Sequence, residues 1–170
     1  ENYSKKRESG CKKAEYSQTT IDSHGNRWRL IIYVNGNGRA SNHHLSLFLQ
    51  VADAEDLPFG WRKSVSYVLT LEHPSESHMG YAKRNPDKTF KLCPKAIDWG
   101  WSQFITSDKI QQDGYIHEDS LTVRASVTVR NSSISIDPED AELYLKCAVE
   151  EGNSDAVNVC LKQGASVNCQ

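Results

Sequence analysis

Six histidines and five cysteines are the residues best suited to metal or nucleophilic chemistry in this chain of 170. The histidines (His24, His43, His44, His73, His78 and His117) form no H-E-x-x-H pair and no zinc-finger spacing. His43-His44 adjoins a strand pattern, in which successive side chains point to opposite faces. The pair therefore does not converge on one metal, and surface histidines are the favoured reading. The cysteines (Cys11, Cys93, Cys147, Cys160 and Cys169) are odd in number, scattered and without a C-x-x-C pair. That fits reduced thiols in a cytoplasmic or nuclear protein better than a secreted disulfide framework. Cys93, beside Pro94, has no identifiable base. No nucleophile elbow, P-loop or dinucleotide fingerprint occurs, and Gly36-Asn37-Gly38 lacks the Lys-Ser/Thr and helix of a phosphate loop. The expectation is a chain with no catalytic residue, no metal site and no cofactor.

The informative side chains are aromatic. Phe48 falls on the polar side of an alternating segment, between Ser46 and Gln50, while Leu45, Leu47, Leu49 and Val51 take the other side. Asp98-Trp99-Gly100-Trp101 puts two indoles around a glycine, and in an extended segment both point the same way. Such rings either plug the end of a core or anchor a partner in a groove, since aromatics are favoured at interfaces.

The elements that must position them are strands. Period-two alternation runs from about residue 27 to 130, with Trp28, Leu30, Ile32 and Val34, then 44–51, then about 64–72, then a short strand near 89–92. The cleanest example is Leu121, Val123, Ala125, Val127 and Val129 against Thr122, Arg124, Ser126, Thr128 and Arg130. Asn35-Gly36-Asn37-Gly38 and Asp113-Gly114 supply turns. Residues 73–88 read as a long polar connection. Short strands with turns between them predict an all-β, antiparallel sandwich. After Arg130 the texture becomes helical: Leu143, Cys147 and Ala148, then Val157, Cys160 and Leu161, interrupted by Gly152-Asn153 and closed by Gly164. Three segments result: a polar, basic stretch over 1–19, a β domain over 20–133, and a linker with a helix–turn–helix over 134–170.

Composition agrees with one domain and part of a second. The chain is 25% charged and 38% hydrophobic, with a net charge of -2. Nothing there points to nucleic acid or an acidic membrane, and no apolar run approaches the roughly 20 residues of a spanning helix. The first residue is Glu1, which fits a piece of a longer protein.

Several blocks, in order, resemble the MATH domain, the TRAF-type C-terminal domain. They are Arg27-Trp28-Arg29-Leu30-Ile31-Ile32-Tyr33, Asn35-Gly36, His44-Leu45-Ser46-Leu47-Phe48-Leu49 and Asp98-Trp99-Gly100-Trp101-Ser102-Gln103-Phe104. Val51-Ala52-Asp53-Ala54 and Leu57-Pro58-Phe59-Gly60-Trp61 are similar to MATH domains of plant-type ubiquitin-specific proteases. Gly114-Tyr115-Ile116 and Asp119-Ser120-Leu121-Thr122-Val123 match the family's closing segment. The resemblance implies a sandwich of seven to eight strands that binds short extended peptides in an aromatic groove by strand addition. It assigns Phe48, Tyr67, Phe90, Asp98, Trp99 and Trp101 to peptide contact. Tyr67 alternates with Val65, Leu69 and Leu71, so a core role is an equal alternative. The family's opening strand has at most Tyr3-Ser4-Lys5 as a remnant here, which leaves one sheet with a bare edge. The tail, Leu145-x-x-Ala148-x-x-x-Gly152 with Val157-x-x-Cys160-Leu161-x-x-Gly164-Ala165, resembles one ankyrin repeat.

The expected function is a non-catalytic adaptor that recognises short linear motifs, in ubiquitin-related or signalling assemblies. The alternatives are the substrate-recognition part of a deubiquitinase or ubiquitin ligase whose catalytic part lies elsewhere, and a structural or oligomerising module. The expected partners are peptide motifs of other proteins.

Overall fold

The computed structural model describes residues 1–57, 61–91, 97–134 and 140–166, with the side chains of 86–91 and 131–134 outside that description. Two antiparallel sheets face each other. The first contains β1 (Glu15–Tyr16), β2 (Thr20–Ile21), β3 (Arg27–Tyr33), β4 (His44–Val51) and β7 (Asp98–Thr106), in the order β1-β3-β4-β7 with β2 also on β3. The second runs β6-β5-β8, from β6 (Tyr81–Lys91), β5 (Trp61–Leu71) and β8 (Val123–Ile134). The all-β sandwich expected from the alternation is the fold found.

The alternation explains the core. Leu45, Leu47, Leu49 and Val51 of β4 and Val65, Tyr67, Leu69 and Leu71 of β5 are each at most 3% exposed. Trp28 and Leu30 join them from β3. Each such aliphatic side chain contributes roughly 1.5–3 kcal/mol by leaving water, so pattern alone directs these faces together. A one-residue slip would turn every one of them outward.

Two regions depart from the sequence reading. The polar connection expected over 73–88 holds most of β6, which begins at Tyr81. Lys83, Arg84 and Asn85 hide the strand from a hydrophobicity pattern, and charge of this kind is how an edge strand avoids unwanted pairing. Pro86 also argued against a strand. It stands where the β5–β6 pairing shifts register, between Val65↔Lys88 and Tyr67↔Asn85, a place an edge strand tolerates.

The second departure is at the start. Residues 3–8 form a helix, α1, where the sequence suggested a solvated segment or the remnant of a strand. Tyr3 is 3% exposed and belongs to the core, and its amide donates to the Asp119 carbonyl at 2.9 Å. The buried Asn35 fastens the following residues. Its Oδ1 accepts from Arg7 Nη1 at 2.6 Å, and its Nδ2 donates to the Lys6 and Cys11 carbonyls. A buried amide has to be satisfied in this way, so this polar residue after β3 helps to hold the N-terminal segment, together with Asp119, which also accepts from the Ser4 amide at 2.7 Å.

α2 (Ser107–Gln112) follows β7, with Thr106 accepting from the Lys109 amide. α3 (Ala141–Glu150) and α4 (Ser154–Lys162) pack on each other through Ala141, Leu145, Cys160 and Ala165. Asn153 caps α4 by accepting from the Ala156 amide at 3.0 Å. Leu143 and Val149 are 66% and 60% exposed, so this pair leaves part of its apolar surface uncovered. Among the described residues no helix is long and apolar enough to cross a membrane.

Candidate functional site

β7 carries the aromatic motif, and it is the last strand of its sheet. The last strand of the other sheet on that side is β6. There the sheets are tied by Lys83, whose ammonium donates to the Gln103 carbonyl at 2.6 Å, and by Tyr81 edge-on to Phe104 with centroids 5.5 Å apart. Burial lowers the Lys83 pKa.

The register between β4 and β7 decides where each motif residue points. Leu49 pairs with Trp99 and Leu47 with Trp101, and directly opposed residues share a face. Both indoles therefore turn inward, half-buried against the core. Trp101 lies edge-on to Tyr67 with centroids 5.8 Å apart and tilted against Phe104 at 6.3 Å. Tyr67 is 2% exposed, with its hydroxyl accepting from Asn85 Nδ2 at 3.4 Å. Burial raises its pKa against that hydrogen bond. Of the two places left open for Tyr67, the structure shows it in the core, beneath Trp101.

Phe48 pairs with Gly100 and Gln50 with Asp98, and this set faces outward. The Phe48 ring lies over Gly100. A Cβ built on that glycine would stand 2.5 Å from the Phe48 Cα and 2.9 Å from its Cδ1. Only glycine allows this approach. The Asp98 carboxyl is half-buried, and desolvation raises its pKa. Phe90 is a β6 residue opposite Lys63, and its side chain lies outside the described residues.

Phe48 and the two tryptophans thus do not share one surface. Phe48 of β4 and Asp98 of β7 are on the outer face of the sheet, Trp99 and Trp101 are on its inner face, and Tyr67 is below them. The strand edge itself joins the two groups. A chain laid along that edge would alternate between them, because its own side chains alternate.

Sequence reasoning did not reach the outer neighbours. Tyr33 meets Phe48 edge-on at 6.1 Å. Its pKa is raised by burial and then by Tyr16 and Asp98. Arg29 donates to Gln50 and lies 4.5 Å over the Tyr16 ring. These residues come from β1, β3 and β4. Only the cross-strand register, Tyr16↔Ile31↔Phe48, brings them together, and no spacing along the chain reports it. Among the described residues no cluster of His, Cys, Asp or Glu could hold a metal ion.

Comparison with known proteins identifies the family and the fold. The family model described as the MATH domain matches residues 1–127. A MATH domain and coiled-coil domain-containing protein of Arabidopsis thaliana is 36% identical over 121 residues, 69% of this chain and 36% of that protein. Ubiquitin C-terminal hydrolase 12 of the same plant is 31% identical over 62% of this chain, which spans 9% of the hydrolase. TNF receptor-associated factor homolog 1a, also from Arabidopsis thaliana, is 31% identical over 71% of this chain and 11% of its own length. The chain thus spans about a third or less of these relatives. In structure, TRAF5 of Notothenia coriiceps superposes with a TM-score of 0.56 at 22% identity, covering 80% of this chain and 72% of that one. That likeness carries the fold. The helices α3 and α4 lie beyond the matched residues. On the family match and the relatives together, this chain belongs to the MATH domain family, whose module serves protein–protein interaction.

Proposed function

We propose that the chain is a non-catalytic adaptor that captures a short extended peptide along the free edge of β7. One observation carries this reading. β7 ends its sheet, and its two sides offer different contacts, half-buried Trp99 and Trp101 inward and Phe48 with Asp98 outward. Strand addition supplies main-chain hydrogen bonds, and alternate side chains then read the two surfaces. An apolar or small residue suits the indole side. A hydroxyl or amide donor suits Asp98. A single site of this kind has an affinity of about 1–100 μM, or roughly -8 to -5.5 kcal/mol, and joining it to a second module raises the avidity.

A broad peptide array on the 170-residue chain tests the reading, followed by titration of the best sequence. Phe48→Ala is expected to abolish binding with little change in the thermal transition, since its ring is on the outer face. Trp99→Ala is expected to abolish binding at some cost in stability, because the indole also covers the core. An array without any ligand, or a ligand indifferent to both changes, would sink the proposal.

A second reading is favoured by one relative. Ubiquitin C-terminal hydrolase 12 carries a stretch similar to this chain over a small part of its length. The same groove would then select substrates for a ubiquitin-pathway enzyme. Interaction partners from extracts enriched in ubiquitin-pathway proteins would favour it over a signalling adaptor. The pair α3–α4 fits an ankyrin-like unit, for its paired helices bury Leu145 and Cys160 while Leu143 and Val149 stay open. Such units are stable only when stacked.

A further inference from the structure

The outer face of the second sheet carries a polar pocket. On β5 the outward residues Arg62, Ser64, Ser66, Val68 and Thr70 alternate with the buried core row. Register sets their neighbours on the same face. Ser66 pairs with Thr128 and Val68 with Ser126 on β8, and Val68 pairs with Arg84 on β6. Both ladders slip beside Ser66. On β6 two residues, between Asn85 and Lys88, oppose Ser66 alone. On β8 Arg130 is the extra residue between Val129, opposite Val65, and Asn131, opposite Ser64. Bulges bend a strand and re-aim its side chains. Between these two the face is hollowed into a cavity of about 190 Å³, whose lining includes Ser66, Val68, Arg84, Ser126, Thr128 and Arg130.

The charge around this cavity is of one sign. The chain carries 22 acidic and 20 basic residues. No Asp or Glu is found among the described outward side chains of β5, β6 and β8. Glu72, which follows β5, is taken up by Arg124 at 2.9 Å. Arg62 is engaged as well. Arg84 and Arg130 are exposed and make no ion pair among the described residues. The hydroxyls of Ser66, Ser126 and Thr128 have no hydrogen-bond partner among them either. Two guanidinium groups with three hydroxyls between them form a donor set without a carboxylate.

We propose that this pocket binds the phosphate monoester of a phosphorylated Ser or Thr side chain on a partner protein. Guanidinium forks match phosphate oxygens two at a time and stay charged at any working pH. Hydroxyl groups donate to the oxygens that remain. The cavity is smaller than the roughly 300–1,000 Å³ of a small-molecule cleft, so it takes one group and leaves the carrier outside. Half-buried Val68 offers hydrocarbon to the carrier's first carbon, a contact that a free ion does not use. A nucleic-acid strand calls for a row of cations that tracks its backbone. Here two arginines approach one pocket, Arg84 from β6 and Arg130 from β8. The site lies on the outer face of the sheet that lacks β7 and does not depend on the adaptor reading.

The test follows the amide spectrum of the 170-residue chain, labelled with nitrogen-15, against four probes. They are the peptide Gly-Gly-Ser-Gly-Gly phosphorylated on its serine, the same peptide without phosphate, inorganic phosphate, and a short oligothymidylate. The phosphopeptide is expected to shift the amides of residues 66–68, 84 and 126–130. It is expected to bind at least about three-fold more tightly than inorganic phosphate, the worth of one buried methylene. The unphosphorylated peptide is expected to leave the spectrum unchanged. Arg84→Ala and Arg130→Ala are each expected to weaken the phosphopeptide about ten-fold, the scale of one hydrogen bond to a charged group. Lys12→Ala and Lys13→Ala, which remove exposed cations of the N-terminal segment, are expected to change it less than about two-fold. Absence of shifts at these amides overturns the proposal. So does equal binding of inorganic phosphate, tighter binding of the oligothymidylate, or an equal loss in the lysine variants.

Discussion

The β7 and β8 sides of the sandwich are built from opposite materials. Along β7 the inward positions hold indoles, Trp99 and Trp101, which fill the space between the sheets themselves. Along β8 they hold valines and an alanine, half-buried against the core, beside a groove of about 540 Å³. Both rows obey the same period-two rule.

The carboxylates beside the edges differ in the same way. Asp98, next to β4, is desolvated and its pKa is raised. Asp22, at the rim of the β8 groove, is also penalised by burial. Hydrogen bonds from Trp28 Nε1 at 3.0 Å, Asn26 Nδ2 at 2.6 Å and the Asn26 and His24 amides outweigh that penalty and hold its pKa down to about 2. One acid has its pKa raised by desolvation. The other is the centre of a satisfied polar turn.

The sharpest way to break the contrast is Tyr67→Ala. If the β7 side is packed core, chemical denaturation should show a loss of about 3–5 kcal/mol. A loss under 1 kcal/mol would mean that this side is as hollow as the other. Gly100→Ala comes next. Its added methyl meets the Phe48 ring and the β4 backbone, and overpacking of this kind costs about 1–3 kcal/mol. The Phe48–Tyr33 contact should shift with it, visible in near-ultraviolet circular dichroism.

Asp22→Ala should cost about 1–3 kcal/mol at pH 7, because it removes the carboxylate that accepts from Trp28 Nε1 and Asn26 Nδ2. The sign with pH follows from the depressed value. The contribution is complete above the unfolded carboxyl range and disappears as pH falls through about 2. Asp98→Asn should behave in the opposite sense. A raised carboxyl pKa favours the protonated form in the folded state, so its ionisation lowers stability as pH rises through that pKa. The variant should equal or exceed the parent in stability at pH 7, and the difference should vanish below the unfolded carboxyl range. On the hollow side, Ala125→Leu should raise stability by about 0.5–2 kcal/mol, as cavity filling commonly does. A loss of stability there would mean that the groove is too narrow for a strand's side chains.

Local alternation made much of the sandwich legible. β3, β4, β5 and β8 each declare one apolar face, and Gly152-Asn153 and Gly164 mark the ends of α3 and α4. β6 was half-hidden, since an edge strand carries charge for reasons of its own. α1 escaped because a six-residue helix has little periodicity, and it is held by tertiary contacts, among them the buried Tyr3, the amide of Asn35 and the Lys6–Glu15 ion pair. At the candidate site, the motif Asp98-Trp99-Gly100-Trp101 and the odd placement of Phe48 were both visible. Which of them point the same way was not.

Amino-acid order by itself determined the family, the β-sandwich, the faces of the main strands and the absence of a recognised catalytic motif. These are properties of period, residue type and ordered blocks, and each is encoded within a few residues of chain. Only the tertiary structure decided that Trp99 opposes Leu49 while Phe48 opposes Gly100, that β7 follows β4 in its sheet, and that β5 lies between β6 and β8. Pairing partners and sheet order come from contacts between residues tens of positions apart, and strand pattern is the same whichever neighbour a strand acquires.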